Sequence, residues 1–380
     1  MRGAAILLFL SAFALPCFAA KRVAVDQLER VISTPRSKND AKTADAIYGL
    51  ELTERMSAAR LVRELALLPG PASRQALHSL ADVSEFLDLP AADLPPTPPP
   101  DRESEIALWK MALANAGKTI SALPNFFATR ETTHFVDTPS EPPRNTPDTI
   151  RYAPLHQVGD ESVTVLYRDG HEFLDTKGTH HASLDPNNFG LSTEGEFGPI
   201  LETVLADSGH GHVFWSHWEQ GVNGQIAVFR YEVAKPESHY TVNSPGPKRD
   251  TQFIAPYHGE VGIDPADGSI LRLTMVADLS PNDRVAKADV LMNYGPVQIG
   301  GATYICPLNS VALTLVHEVR VNSNSYTDDE EQWGPLQTLV NDVVFRNYHL
   351  FRAEIRILTD DSSGPNGSSP PAPPPAAPNR

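Results

Sequence analysis

The hydrophobic periodicity of this chain changes at Pro124, and this change constrains the fold more than any other feature. After Pro124, apolar residues alternate with a period of two in short runs, for example over residues 126–135 and 226–231. This alternation is typical of half-buried strands, and short connections between the runs favour antiparallel pairing over a parallel sheet. The sequence therefore predicts an antiparallel meander of about eight to ten strands over residues 126–358.

Turn residues place two hairpins in this meander. Asp264-Pro265-Ala266-Asp267-Gly268 connects residues 261–263 to residues 270–276, and Gly300-Gly301 turns a second hairpin. Proline, aspartate and glycine provide the backbone angles that tight turns need. Both segments are therefore predicted to join neighbouring strands.

Three other segments interrupt or end the meander. One helix is predicted over residues 197–205, and a polar loop around residues 326–331 is predicted to precede a last strand over residues 343–358. The sequence after Asp361 is rich in Ser, Pro, Gly and Ala, which cannot bury enough apolar surface to fold. This tail is predicted to be disordered.

Before Pro124 the apolar spacing is helical. Residues 21–89 carry apolar residues three and four positions apart, which predicts short helices joined by turns. Thr53 is the predicted N-cap of one helix, which ends at Pro69-Gly70-Pro71, and a further helix continues through Ala76 towards Phe86.

A proline-rich segment, Leu94-Pro95-Pro96-Thr97-Pro98-Pro99-Pro100, follows these helices. So many prolines exclude a helix interior or a sheet ladder, so a stiff extended linker is predicted. A longer helix then begins at Asp101 and ends near Leu123-Pro124. Its predicted apolar stripe consists of Ile106, Trp109, Leu113 and Ile120.

These patterns predict an α+β fold, in which a curved antiparallel half-barrel-like sheet packs on helices and a small all-α N-terminal layer precedes it. The predicted ranges are a signal peptide (1–19), a helical N-terminal region (20–92), a proline-rich linker (93–100), an antiparallel β domain with an inserted helix (101–360) and a disordered tail (361–380).

The N-terminus has the pattern of a secretory signal. Arg2 precedes an apolar run over residues 4–15, and small residues lead to a cleavage site near Ala19. Lipidation at Cys17 is disfavoured because proline stands directly before it. The protein is therefore predicted to be exported, periplasmic or secreted. Its mature form would keep only Cys306, so no intrachain disulfide is expected, and this cysteine is interpreted as structural and buried.

Charge and hydropathy argue against two classes of protein, nucleic-acid binders and transmembrane proteins. The chain has 47 acidic and 31 basic residues and a net charge of −16, whereas nucleic-acid binders carry a basic footprint. No stretch beyond the signal is apolar enough to span a bilayer, so a transmembrane protein is not expected. The common nucleophile, zinc-helix and phosphate-loop motifs do not occur, and no cofactor is predicted.

A helix leading into an antiparallel meander, with a second helix inserted and an export signal in front, resembles the bacterial outer-membrane lipoprotein-carrier superfamily over residues 101–358. The strand-turn-strand sequence of residues 262–273 is similar to a hairpin of that family. This resemblance implies a half-closed sheet with an apolar cavity for acyl chains. Residues 122–130 and 304–307 also resemble segments of uncharacterised exported proteins of soil bacteria, and neither likeness supplies a catalytic residue.

Histidines suggest one chemical alternative. His210 and His212 would project to the same face of a strand, which is a common beginning of a zinc site, and His180 could complete it. His217 would face the opposite way by simple alternation. Exposed histidines in a glycine-rich turn are the competing interpretation. Acidic pairs such as Glu194 and Glu196 are expected to lie on the solvated surface.

Aromatic residues suggest a binding surface instead. Alternation places Trp215 on one face of its strand and Phe214 and Trp218 on the other. Core packing is the competing interpretation. The candidate ligand-binding residues are Phe214, Trp215, Trp218, Phe229 and Tyr231.

The function that needs the fewest assumptions is non-enzymatic binding of an apolar or lipid-like molecule in the cell envelope, driven by apolar burial. One alternative is an envelope sensor or scaffold that binds a protein partner through its N-terminal helices. Another alternative is a metal-dependent hydrolase that uses His210 and His212.

Overall fold

The computed structural model describes residues 20–33, 39–137, 139–140, 151–152, 155–175, 195–221, 223–244, 251–321 and 331–351. The predicted signal peptide, His180 and the predicted disordered tail lie outside the described residues. Six α-helices and sixteen β-strands occur in the described part of the chain.

The N-terminal layer contains four helices and two short strands: β1 (Lys21–Val23), α1 (Val25–Ser33), α2 (Asp40–Tyr48), β2 (Leu50–Leu52), α3 (Ala58–Leu67) and α4 (Pro71–Ser84). The prediction of helices alone was wrong here, because β1 and β2 form a parallel pair. Thr53 is not a helix cap, since its N–H donates to the Val23 carbonyl and extends this pair. Helix α3 begins after Ser57.

The remaining elements are two helices and fourteen strands: α5 (Arg102–Ala122), β3 (Phe126–Val136), β4 (Pro139–Ser140), β5 (Arg151–Tyr152), β6 (His156–Arg168), β7 (His171–Asp175), α6 (Pro199–Ser208), β8 (His212–Gln220), β9 (Gln225–Val233), β10 (Thr241–Ser244), β11 (Thr251–Ile254), β12 (Tyr257–Ile263), β13 (Ile270–Ala277), β14 (Val285–Ile299), β15 (Ala302–Val321) and β16 (Glu331–Leu350).

Ten of these strands form one sheet in the order β7-β6-β3-β16-β15-β14-β13-β12-β9-β8, with antiparallel neighbours throughout. The sheet is open, because β7 and β8 stand at its two ends. The predicted α+β class and curved antiparallel sheet are confirmed. The predicted start of the last strand was wrong, because pairing with β15 extends β16 back to Glu331.

Helices cover both faces of the sheet. Helices α5 and α6 pack on one face, here called the α5 face, whose buried cluster includes Phe229, Tyr231, Ile263, Leu273, Met275, Met292 and Tyr294. The opposite face, here called the α4 face, packs Phe135, Leu291, Val311, Leu313 and Val340 against Val83 and Phe86 at the end of α4. Both faces of the central strands are therefore apolar and buried.

Three ion pairs join the N-terminal layer to the α4 face, and the first two of them are largely buried. The Arg55 guanidinium, 3% exposed, lies 2.6 Å from the Glu219 carboxylate on β8. Arg272 on β13 donates to the backbone and side-chain oxygens of Glu85 at 2.7 and 3.2 Å. Arg230 on β9 pairs with Asp88. These contacts orient the helical layer on the sheet.

No helix among the described residues is both long enough and apolar enough to cross a membrane.

Candidate ligand-binding face

Helix α5 covers the largest apolar cluster of the sheet with two fully buried alanines and with Leu108, Trp109 and Ile120, which are partly buried. Asp101 caps the helix, because its carboxylate accepts from the Ser104 N–H at 2.8 Å. Only Ala112 and Ala116 of this 21-residue helix are buried. The predicted apolar stripe was therefore wrong in part: Ile106 and Leu113 are 42% and 39% exposed.

The turn between β12 and β13 explains how closely α5 can approach the sheet. Gly268 in this turn has a φ of +80°, and a β-carbon there would lie 2.8 Å from the backbone of Met111. Asn115 also donates to the Asp267 carbonyl at 3.0 Å. The helix is thus seated on a turn that only glycine can form without strain or a clash.

A row of aromatic rings runs along one edge of the α5 face. The ring centroids of Trp109 and Phe229 are 5.6 Å apart, those of Phe229 and Trp215 are 5.5 Å apart, and those of Trp215 and Trp218 are 4.9 Å apart. The three tryptophans are only partly buried, whereas Phe229 is 3% exposed. The α5 helix and strands β8 and β9 therefore share one aromatic cluster.

A β-bulge at Ser216 brings Trp215 and Trp218 together. The register of β8 on β9 shifts between Trp215 and His217, which returns Trp218 to the α5 face. The predicted alternation was therefore wrong for Trp218. Phe214 points to the α4 face opposite Arg230 and is 40% exposed, so it is separated from the other aromatic candidates.

Tyr231 lies deeper than the tryptophans. Its side chain is 1% exposed, and its hydroxyl donates to the Thr274 carbonyl at 2.6 Å. Burial raises the pKa of this phenol well above its usual value. Phe229 and Tyr231 consequently form the floor of the cluster, and Trp215 and Trp218 form its rim.

The space beneath the C-terminal half of α5 is almost filled. A cavity of about 20 Å³ lies between α5, α6 and the sheet, next to Ala116, Tyr294 and Ile305. An adjoining groove of about 470 Å³ is bordered by Ser121, Asn125, Tyr167, Asp169 and Glu202 among others. Ile120, Leu123 and Gly198 line both spaces, so the groove and the apolar cavity are neighbours.

Buried carboxylates fix one wall of this site. Glu196 is 2% exposed and lies 3.5 Å from the Arg130 guanidinium, so the expectation that it is solvated was wrong. Glu172 accepts from the Phe197 and Gly195 N–H groups at 2.6 and 3.1 Å. Burial, aided by repulsion from Glu196, raises the pKa of Glu172 to about 7. The two hydrogen bonds place Phe197 in the cavity wall.

The sequence analysis did not predict the residues that border the groove, such as Asn125 and Asp169, as site residues. Asn125 and Asp169 bind each other through two hydrogen bonds, although 44 positions separate them. The turn sequence Asp169-Gly170 was the only local signal, because it indicates a hairpin at the end of β6. Nothing in the sequence shows that this turn meets the end of α5.

His212 projects from β8 to the α4 face, and His210 lies between α6 and this strand. His210 and His212 are exposed, and the bulge at Ser216 turns His217 to the same face as His212. No three His, Cys, Asp or Glu side chains in the described part of the chain are placed to hold a metal ion. His180 lies outside the described residues, so the three-histidine site stays a prediction.

Cys306 on β15 is fully buried, as the sequence predicted. Burial raises the pKa of its thiol to about 12, which leaves very little thiolate at neutral pH.

No family model, no curated protein and no solved structure matches this chain.

Proposed function

We propose that this is an exported, periplasmic or secreted protein that binds an apolar or lipid-like molecule on the α5 face. The observation that carries the proposal is the cover of this face: Ala112 and Ala116 are the only fully buried residues of α5, and its Leu108, Trp109 and Ile120 are only partly buried against the largest apolar cluster. A ligand with an acyl or aromatic body can bury apolar area on this face in place of these partly exposed side chains. Such a ligand would compete with the helix for the sheet.

Ligand entry requires α5 to move. A cavity of about 20 Å³ holds no more than one water molecule, and the adjoining groove of about 470 Å³ is within the size range of ligand pockets. The ligand would start in the groove and extend beneath α5 as the helix lifts. Leu123 and Gly198, which line both spaces, mark this path.

The charge of the groove selects the ligand class. Asp169 and Glu202 border it, and its lining contains no basic side chain among the described residues. The whole chain carries a net charge of −16. An anionic head group would be repelled, so the proposed ligand is a neutral or cationic amphiphile.

The predicted export signal and the resemblance to the lipoprotein-carrier superfamily support a role in the cell envelope. In that family a half-closed sheet wraps around helices and leaves an apolar cavity for acyl chains, and we propose a similar use of the α5 face. The superfamily assignment itself remains part of the proposal.

Native mass spectrometry of the full chain, purified gently from an exporting host, tests this function. A mass excess that extracts into organic solvent as lipid supports it. A bare protein mass, with no extractable lipid after purification without detergent, contradicts it.

A second function is favoured by one observation in the N-terminal layer. Val62 and Leu67 on α3 are 69% and 60% exposed, so two large apolar side chains of this layer are accessible to a protein partner. If this envelope scaffold function is correct, Val62→Glu combined with Leu67→Glu removes a co-purifying envelope protein and leaves bound lipid unchanged. Unchanged co-purification contradicts it.

The metal-dependent hydrolase stays a third hypothesis. Replacement of His210 and His212 by alanine tests it, and an unchanged zinc content of the purified protein would reject it.

A further inference from the structure

The proline-rich segment before α5 is fixed to the sheet by two side chains at the β8–β9 hairpin. The indole N–H of Trp218 donates to the Pro98 carbonyl at 2.9 Å. The side-chain amide of Gln225 donates to the Thr97 hydroxyl at 2.6 Å. The sequence predicted only a linker here, whereas in the structure two side chains of the β8–β9 hairpin bind the segment.

The residues at the two ends of the segment have the backbone angles of a polyproline II helix, and proline fixes φ near the same value between them. Leu94 at its start has φ and ψ of −75° and 130°, and Asp101 at its end has −71° and 165°, both near the values of that helix. Prolines between them have no N–H and present only carbonyl acceptors. An indole N–H beside a flat aromatic ring is the group with which proteins recognise such segments.

We propose that Trp218 and Gln225 form a polyproline-binding site and that residues 94–100 are its intramolecular ligand, which latches α5 over the sheet. The binding site stands on the two contacts alone, whereas the latch rests on the proposed function of the α5 face.

The position of the site in the chain makes it a latch. Asp101, the N-cap of α5, directly follows the last proline, so the held segment fixes the start of the helix. On the other side, Trp218 packs on Trp215, which contacts Phe229 and through it Trp109 of α5. Release of the segment would therefore loosen the first half of α5 in two ways: at its N-cap, and through the aromatic contacts that reach Trp109.

The sequence contains a second peptide of this class. Residues 370–375 repeat the hexapeptide of residues 95–100 with alanine in place of Thr97. Synthetic peptides of the two sequences make a matched pair of probes. The alanine peptide lacks the hydroxyl that Gln225 binds, so we expect it to bind about fivefold more weakly, as the loss of one hydrogen bond implies.

The latch is tested on the full chain by hydrogen exchange, with no apolar ligand present. Trp218→Phe keeps the ring and removes the N–H, and Gln225→Ala removes the amide. Both should speed exchange of α5 amides about fivefold. Gln298→Ala is the control, because Gln298 makes the same bond to Thr303 in an exposed hairpin. Unchanged α5 exchange in the first two variants overturns the latch.

The binding site is tested by replacing the five prolines of residues 95–100 with serine in the full chain. We expect this variant to bind the Leu-Pro-Pro-Thr-Pro-Pro-Pro peptide in isothermal titration, and Trp218→Phe added to it to weaken binding. Absence of peptide binding, or binding that Trp218→Phe leaves unchanged, overturns the site. These readouts involve no lipid, so their failure is distinguishable from failure of the proposed function.

Discussion

A β-carbon added to Gly268 would lie 2.8 Å from the backbone carbonyl carbon and oxygen of Met111. This close approach links the β12–β13 turn to the middle of α5. It shows that the position of the helix over the apolar sheet depends on the absence of a side chain in one turn. The proposed ligand site lies directly beneath that contact.

Gly268→Ala is therefore expected to displace α5. Gly301→Ala is a matched control, because Gly301 also has a positive φ, +91°, but has no atom within 4 Å of an added β-carbon. Both variants lose stability from backbone strain, and Gly268→Ala should lose about 1–2 kcal/mol more because of the clash. Urea denaturation measures the difference. Equal losses of unfolding free energy in the two variants would show that a side chain at position 268 does not clash with α5.

Removal of Arg55 is expected to weaken attachment of the N-terminal layer. Arg55→Met leaves the carboxylate of Glu219 largely buried and without its guanidinium partner. Loss of one partner of a buried pair costs about 3–5 kcal/mol. The Arg346–Glu131 pair, 3.0 Å apart and about half exposed, is the control, and Arg346→Met should cost less than about 1 kcal/mol.

This comparison is measured as the free energy of unfolding of both variants under the same conditions. A loss for Arg55→Met as small as that for Arg346→Met would contradict a structural role for the buried pair.

Asp289 predicts a pH dependence of stability. The residue is fully buried beside Lys287, and burial raises the pKa of its carboxyl to about 6 despite that neighbour. Because the folded-state pKa is above the unfolded value of 3.8, the folded protein binds the proton more tightly. Ionisation of Asp289 therefore lowers stability as the pH rises from about 4 to above 6.

Asp289→Asn removes this titration. Relative to the wild type, the variant should gain up to about 3 kcal/mol of stability between pH 4 and pH 8, since one pKa unit corresponds to about 1.4 kcal/mol. Chemical denaturation at the two pH values measures this gain, with Glu131→Gln as the exposed acidic control. If the difference in unfolding free energy between the variant and the wild type does not change with pH, the pKa of Asp289 is not raised in the folded protein.

Local sequence patterns were sufficient for much of the fold. The alternation after Pro124 predicted the antiparallel sheet, and the Asp264–Gly268 turn predicted the hairpin that the structure contains. The long helix from Asp101 to Leu123 was also confirmed, because a capping aspartate and a following proline mark its ends. These features depend on neighbouring residues and are readable from them.

The candidate site was only partly predictable, because it depends on tertiary contacts. One bulged residue, Ser216, turns Trp218 to the other face, and no local signal marks it. Ala112 is buried and Ile106 is exposed, which depends on how α5 packs on the sheet. The Arg55–Glu219 pair joins residues 164 positions apart. Sequence periodicity contains no information on such contacts.

The central claim is that α5 competes with an apolar ligand for the sheet. Titration of the full chain with N-phenyl-1-naphthylamine, a neutral apolar fluorophore, tests it most directly in the wild type, Gly268→Ala and Gly301→Ala. Loosening α5 raises the fraction of binding-competent protein, so Gly268→Ala should bind the fluorophore more tightly than the other two by about threefold or more. The absence of binding in all three proteins, or equal affinities in Gly268→Ala and Gly301→Ala, would contradict the account.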